Sequence, residues 1–465
     1  MEIVVNSLTI VLSTILLILI IVGIHEMGHY LAARFFSIHV IRFKIGFGKT
    51  LLKFINRNGC EFSIGLIPLG GYVQMLGENE SVGVDIYQEK SNLESESKSI
   101  SYMQASLGQR AIVTAAGPFA NFVLAIFVYF IISLIGVNQL APIVGNIEKD
   151  SYAQEIGLNS GDRIVSVDDR SIKSFNDINL ALVSRIGDSG KIKFSFEDQE
   201  SGSYSIKEVL IDDWLKDSDQ SNPLLSFGIS PFIPPIISSL DPSGPAFKAG
   251  FKEGDVVSEI DEQTIYTWTD LADYISKRPN TYLTFKVLSG GQEKTLELVS
   301  SYSVLDDGSE IGRIGIARVS RFEDFPSELT VFNRLGPFEA IYDAIIQTYK
   351  YSILIIESIG KMISGKVSTD NLGGPIQISV LAGSAAKSGI ISFLSIIALL
   401  SINLGLINLL PIPILDGGQL TMIAIEKIKG SPISESFLEY SARIGIFFIL
   451  CLMFFAIFND ILRIF

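Results

Sequence analysis

"TIVLSTILLILIIVGIHEMGHYLAARF" occupies residues 9–35. No charge interrupts it up to Ile24, and then His25, Glu26 and His29 arrive within five residues. A helix of that length crosses a hydrocarbon core of about 30 Å, at about 1.5 Å per residue. Ionisable side chains inside such a span are costly and mark function by default. The stretch is therefore a membrane helix that carries a chemical site at its end. His25 and His29 are four apart, so on a helix they share one face. That spacing lets two imidazoles grip one zinc ion. Glu26 lies on the same turn but points around the helix. It is placed to take a proton from water at the metal, whose pKa zinc lowers from 15.7 towards about 7.

The rest of the 465 residues fits around this helix. Residues 111–136, 391–415 and 443–458 are apolar runs of comparable length, with Arg443 at the edge of the last. Four crossings follow, and the chain is long enough for further domains. The first run is expected to stay in the protein, since Glu2 and no basic residue precede it and no cleavage-like stretch follows. Cys60 and Cys451 fall in a basic loop and in the last apolar run; no disulfide framework is expected. Arg34, Arg42, Lys44, Lys49, Lys53 and Arg57 form a basic loop without acidic residues, which by the positive-inside rule is cytoplasmic. Residues 141–325 hold 31 Asp/Glu against 18 Lys/Arg, a balance of −13 out of a net −14. This acidic insert belongs on the opposite face, and no basic surface for nucleic acid exists.

The insert is duplicated. "GNIEKDSYAQEIGLNSGDRIVSVDDRSI" (145–172) aligns without gaps to "SSLDPSGPAFKAGFKEGDVVSEIDEQTI" (238–265), matching Ala153 to Ala246, Gly157 to Gly250 and Gly161-Asp162 to Gly254-Asp255. Each copy predicts a short helix, a Gly turn, a strand and then a longer helix. The pattern resembles tandem bacterial PDZ domains, which bind extended peptides at a sheet edge; "SFGIS" (226–230) is the candidate peptide-binding loop. Residues 338–363 are apolar but carry Glu339, Asp343, Lys350, Glu357 and Lys361, which suits an amphipathic helix lying in the interface. "EFSIGLIPLGGYVQMLGE" (61–78) alternates around Pro68, Gly70 and Gly71 and predicts a hairpin.

A metal held by His25 and His29 needs a third ligand. His39 is the only other histidine, and it lies in the basic loop. Asp416 is the only acidic residue in 391–425, inside "NLLPIPILDGGQL", although an Asp-Gly pair is also an ordinary turn. With 338–363 lying in the interface, the first and third crossings run the same way, so Asp416 reaches the depth and side of the two histidines. Pro411 and Pro413 should leave the segment before Asp416 extended.

"HEMGH", "GPFAN" (117–121), "NLLPIPILDGG" and the duplicated insert together resemble the site-2 protease family of intramembrane zinc metalloproteases, and within it the bacterial regulator-of-sigma-E branch. The resemblance runs the length of the chain. It implies zinc ligands His25, His29 and Asp416, with Glu26 as general base. It implies a membrane-embedded substrate: a single-pass anti-sigma factor already trimmed on its periplasmic side, or remnant signal peptides. It suggests that Asn403 and Asn408 position substrate, and that the hairpin around Gly70 and Gly71 sits beside the active site, where its open edge pairs with an unwound substrate helix. The family often ends the turn with His where this chain has Gln419. The implied location is the bacterial inner membrane, with the PDZ domains periplasmic and the site near the cytoplasmic side.

The expected architecture is a mostly α-helical polytopic membrane protein, with two α+β PDZ domains inserted between the second and third of four transmembrane helices, and a membrane-associated β-hairpin. The segments are 1–36 (first crossing), 37–106 (hairpin region), 107–137 (second crossing), 141–222 and 223–310 (PDZ domains), 334–365 (interfacial helix), 390–420 (third crossing) and 437–465 (fourth crossing). The alternative is a membrane scaffold that binds peptides through its PDZ pair and keeps an inactive or structural metal site. An intact Glu26 favours the protease, since a structural site needs no base.

Overall fold

Helix α1 spans Glu2–Phe35, so the apolar run and the His-Glu-x-x-His motif form one helix. This is a computed structural model, and it describes residues 2–77, 100–199, 201–216, 222–305, 308–320, 322–368 and 373–464. At about 1.5 Å per residue α1 is roughly 51 Å long, well beyond a hydrocarbon core. Helix α2 (Leu107–Ile135) starts at a capping box, in which Ser106 and Gln109 satisfy each other's backbone amides. Helices α3 (Pro337–Ile363), α4 (Pro375–Ser388), α5 (Ile390–Asn408), α6 (Asp416–Lys429) and α7 (Glu435–Ile464) follow the insert. Among the described residues four stretches are long and apolar enough to cross a membrane: Ser7–Phe35, Leu107–Ile135, Ile390–Asn408 and Ser436–Leu462. The chain is a multi-pass membrane protein. Helix α3 is not one of the four.

Helix α2 is the centre of this unit, packed against α1, α5 and α6. The α1–α2 crossing is very close: a Cβ on Gly28 would overlap the carbonyl oxygen of Ala116. On the far side Ser401 of α5 donates to the backbone oxygen of Asn121, 2.9 Å away. Helix α7 is tied to the start of α4 by Asp460, a buried carboxylate that accepts from the amides of Gly374 (2.8 Å) and Ile376 (2.9 Å).

Strands β1 (Val40–Ile55) and β2 (Glu61–Met75) form a two-element sheet behind α1. The register differs from the expected hairpin. Phe43 pairs with Phe62 on one side and Val73 on the other, so residues 40–45 run between the two halves of β2. The 61–75 stretch does not fold onto itself about Pro68 and Gly70–Gly71; its partner is 40–55, and the turn joining the two is Asn56–Cys60. Alternation identified a pleated segment but could not say which strand it pairs with. Residues 78–99 of the expected 37–106 region lie outside the described residues. One end of the sheet is anchored by Phe43, Cys60, Met75, Tyr102 and Val113. Phe47, Leu51, Leu52, Phe54, Leu66 and Ile67 at the other end are exposed. Cys60 and Cys451 are both free, and burial pushes the Cys60 thiol up to about 11.

The insert forms the second unit, Val137–Asn333 with Lys361–Ser368. Its ends meet: Val137–Leu140 pairs with Thr330–Asn333. Two four-stranded sheets share one strand order, Arg170–Ser171, Arg163–Val167, Gly190–Glu197, Tyr204–Ile211 and then Gln263–Thr264, Val256–Ile260, Tyr282–Ser289, Gln292–Val299. Both copies turn on two positive-φ residues, Asp168-Asp169 and Asp261-Glu262. Both open the longer helix (Phe175–Val183, Trp268–Ser276) with a capping box, on Ser174 and Thr267. The expected division at 222/223 is corrected by the cores. Phe227 and Ile229 are fully buried in the first core, and Ile229–Pro231 pairs with Val144–Ile147. The "SFGIS" stretch thus belongs to the first copy. The second core begins at Ile237 and reaches Ile314, and Ile316–Arg318 pairs with Ile237–Leu240, so this copy runs past 310.

Candidate metal centre

His25 and His29 face the same way from α1, rings edge to face with centroids 4.9 Å apart. Their Nε2 atoms are 3.3 Å apart. Asp416 completes a triangle, Oδ2 lying 3.2 Å from His25 Nε2 and Oδ1 3.4 Å from His29 Nε2. All three donor atoms fall within 4.8 Å of one another. Both histidines are buried, and Asp416 nearly so. A tetrahedral zinc with bonds of about 2.0–2.1 Å sets neighbouring ligands roughly 3.3 Å apart. The observed edges of 3.2–3.4 Å therefore fit such an ion. Asp416 Oδ2 is moreover buried without a well-formed hydrogen bond.

The backbone before Asp416 explains how the carboxylate reaches α1. After Asn408 the chain makes tight turns, Leu410 N to Ile407 O, Ile412 N to Leu410 O and Leu415 N to Ile412 O. The segment is non-helical, as its prolines require, but it is coiled into turns where an extended run was expected. Ile414 has φ +89°, a conformation that costs a β-branched residue about 1–3 kcal/mol. Gly417 and Gly418 pack directly on the turns: a Cβ on Gly417 would overlap the carbonyls of Leu409 and Leu410, and one on Gly418 that of Ile412. The double glycine thus folds α6 hard back on the turns, and Asp416 begins this separate helix. Arg110 of α2 holds α6 in place through Glu426 at 2.8 Å.

Helix α2 lies behind the histidines. His29 Nδ1 is 2.8 Å from the Val113 carbonyl oxygen, and His25 Nδ1 is 3.2 Å from Asn121 Nδ2. A Cβ on Gly117 would overlap His29 Nε2. None of these partners was identified as functional from sequence; Gly117 and Asn121 fall in "GPFAN", which gave the signal without the role.

The family model described as Peptidase family M50 matches residues 13–452. This chain belongs to peptidase family M50. It is 36% identical over 449 residues to the Escherichia coli (strain K12) regulator of sigma-E protease RseP, covering 96% of each chain. It is 35% identical to protease RseP of Yersinia pestis, covering 96% of each, and 34% identical to the regulator of sigma E protease of Haemophilus influenzae, covering 97% and 98%. A solved PDZ domain of the SdrC-like protein Lin2157 from Listeria innocua is 22% identical, covering 19% of this chain and 96% of that one, with a TM-score of 0.17. This M50 peptidase is accordingly an intramembrane metalloprotease.

The remaining sequence-derived residues of the M50 peptidase separate into those beside the cluster and those away from it. Asn408 Nδ2 lies 3.3 Å from His25 Nε2. Asn403 is half-buried and, among the described residues, makes no hydrogen bond to the cluster; five residues apart on a helix, the two point roughly 140° from each other. Glu26 is buried, and Gly71 abuts it: a Cβ there would lie 2.9 Å from Glu26 Cγ and 3.1 Å from Val22 Cγ1. Gly70, at φ +143°, would set a Cβ 2.7 Å from the Phe47 ring. His39 is outside the cluster; it is buried, and its Nδ1 has no partner.

Proposed function

We propose that this M50 peptidase cleaves the transmembrane segment of single-pass membrane proteins with a zinc ion held by His25 Nε2, His29 Nε2 and the Asp416 carboxylate. The observation that carries the reading is the triangle of donor atoms with edges of 3.2–3.4 Å, assembled from residues far apart in sequence. Two imidazoles, one carboxylate and an open fourth position form a catalytic rather than a structural zinc set. When bound, zinc supplies Lewis acidity towards a carbonyl and acidifies water. Glu26 takes the proton of the attacking water and delivers it to the leaving amide nitrogen. Asn408, beside His25, orients the scissile peptide; Asn403 acts further along α5.

A helical substrate hides its carbonyls in internal hydrogen bonds, so it must unwind before it reacts. Residues 71–75 form the half of β2 that abuts Glu26 through Gly71, and among the described residues that half pairs only with 40–45. An unwound segment adds to that edge as a further strand. Gly70 and Gly71 contribute by close packing: without side chains they let this part of β2 lie against Phe47 and Glu26, which keeps the edge that takes the substrate beside the general base. The exposed apolar end of the sheet rests in lipid.

The substrate class is an anti-sigma factor after periplasmic trimming, together with remnant signal peptides, in the bacterial inner membrane. The relatives' names and the basic loop at 34–57 support this setting, with the site near the cytoplasmic side and the acidic insert periplasmic. The two duplicated copies serve as PDZ domains that restrict bulky substrates or bind peptides. The test is Glu26→Gln in purified full-length protein with a model single-pass substrate, read by mass spectrometry of the fragments. Zinc content is expected to stay and cleavage to vanish. Undiminished cleavage would overturn the mechanism, and no cleavage even by the unmodified protein would favour the scaffold.

A further inference from the structure

The two imidazoles of the cluster are held from behind in different ways. Val113 presents a backbone carbonyl to His29 Nδ1 at 2.8 Å. A carbonyl only accepts, so it holds a proton of His29 on Nδ1 and keeps Nε2 as the nitrogen that faces the cluster. His25 instead faces the side-chain amide of Asn121, whose Nδ2 is 3.2 Å from Nδ1. The front nitrogen of the same ring, Nε2, has both Asn408 Nδ2 (3.3 Å) and Asp416 Oδ2 (3.2 Å) beside it, one a donor and the other an acceptor, so these contacts suit a proton on either ring nitrogen. The other end of the same amide, Oδ1, is buried and has no hydrogen-bond partner, while Asn121 as a whole is fully buried. Ser401 pins the backbone of Asn121 from α5, so the residue itself cannot drift from the ring.

We propose that Asn121 is a positioning residue that serves both tautomers of His25. With Nδ2 towards the ring, Asn121 donates to a bare Nδ1 and suits the tautomer whose proton is on Nε2. Turned end for end about its last torsion, it offers Oδ1 to an Nδ1–H, and the Nε2 lone pair of His25 is freed towards the cluster. The two ends of an amide have nearly the same shape, so this exchange needs no repacking. No proton is gained or lost; it moves from Nε2 to Nδ1 of the same ring. A carboxylate at this position would accept only and would hold the metal-ready tautomer permanently.

This rests on the zinc site proposed above, and the test separates the two. Full-length protein in detergent is titrated with Co2+ and Zn2+ against a chelator, following the cobalt visible absorption, for the unmodified chain, Asn121→Leu and Asn121→Asp. Outer partners of ligating histidines govern metal affinity by on the order of 10- to 100-fold. Asn121→Leu is expected to weaken binding by that factor and alter the cobalt spectrum; Asn121→Asp is expected to bind at least as tightly as the unmodified chain. Failure of the unmodified chain to bind metal would overturn the zinc site itself. Binding by the unmodified chain with Asn121→Leu unchanged, or with Asn121→Asp weakened more than tenfold, would overturn the role of Asn121 alone. Should Asn121→Leu not fold, the Asn121→Asp affinity decides.

Discussion

Gly117 is pressed so closely against the imidazole of His29 that a single methyl group has nowhere to go. Gly117→Ala should push the ring off the Val113 carbonyl and spoil the donor triangle, while an alanine in mid-helix favours α2 itself. The expected result is loss of cleavage and weaker zinc retention in a protein whose helical circular dichroism is unchanged; normal zinc content would show that the ring has another place to sit. At this scale the sequence was informative where chemistry is periodic or conspicuous. The spacing of His25 and His29 is one helical turn, and Asp416 stands alone in an apolar stretch, so their convergence could be foreseen. Gly117 and Asn121 could not be given roles, because what they do depends on how closely α2 crosses α1, and nothing in a residue string gives that distance.

Arg110 and Glu426 show how one element sets the position of another. Their 2.8 Å pair, largely hidden from solvent, fastens α6 to the beginning of α2, and α6 starts with Asp416. Breaking a buried pair typically costs about 3 kcal/mol. Arg110→Ala and Glu426→Ala should each lower the thermal midpoint and the cleavage rate, and the charge-exchanged double variant should recover part of both. Equal losses in the single and double variants would mean that the pair does not govern α6. Apolar length alone points to α2 in the sequence, but not to α6: the expected third crossing at 390–420 ends at Asn408, and Asp416–Lys429 is a separate helix. Sequence patterns also failed where partner choice matters. The β2 stretch was recognised as pleated, but its pairing with 40–55 rather than with itself follows from the apolar packing around Phe43 and Met75. The two prolines announced a break after Asn408, but the tight turns follow from Gly417 and Gly418, which let α6 close on the carbonyls before it.

At the scale of the whole molecule, the insert leaves and rejoins the chain at one place. Val137 pairs with Asn333, and paired Cα atoms lie about 5 Å apart. The donor triangle is built entirely from residues outside the insert. Replacing 137–333 by a short Gly-Ser linker should therefore leave zinc stoichiometry unchanged and let the peptidase accept substrates with bulky outer domains; loss of zinc would show that the insert supports the site. The duplication itself was plain in the sequence, because the Gly-Asp turns repeat in register. The boundary between copies was not, since Phe227 and Ile229 carry no mark of which core will bury them.

In the strand addition proposed above, the half of β2 beside Glu26 would meet a bound segment through amides and carbonyls, groups that every residue type shares. Such an edge is indifferent to spelling. What it discriminates is stiffness: segments weakened by glycine, proline or polar breaks surrender their coil cheaply, whereas unbroken leucine-rich anchors hold it. Among the many single anchors of a bilayer, the choice of victim then turns on how easily each one melts.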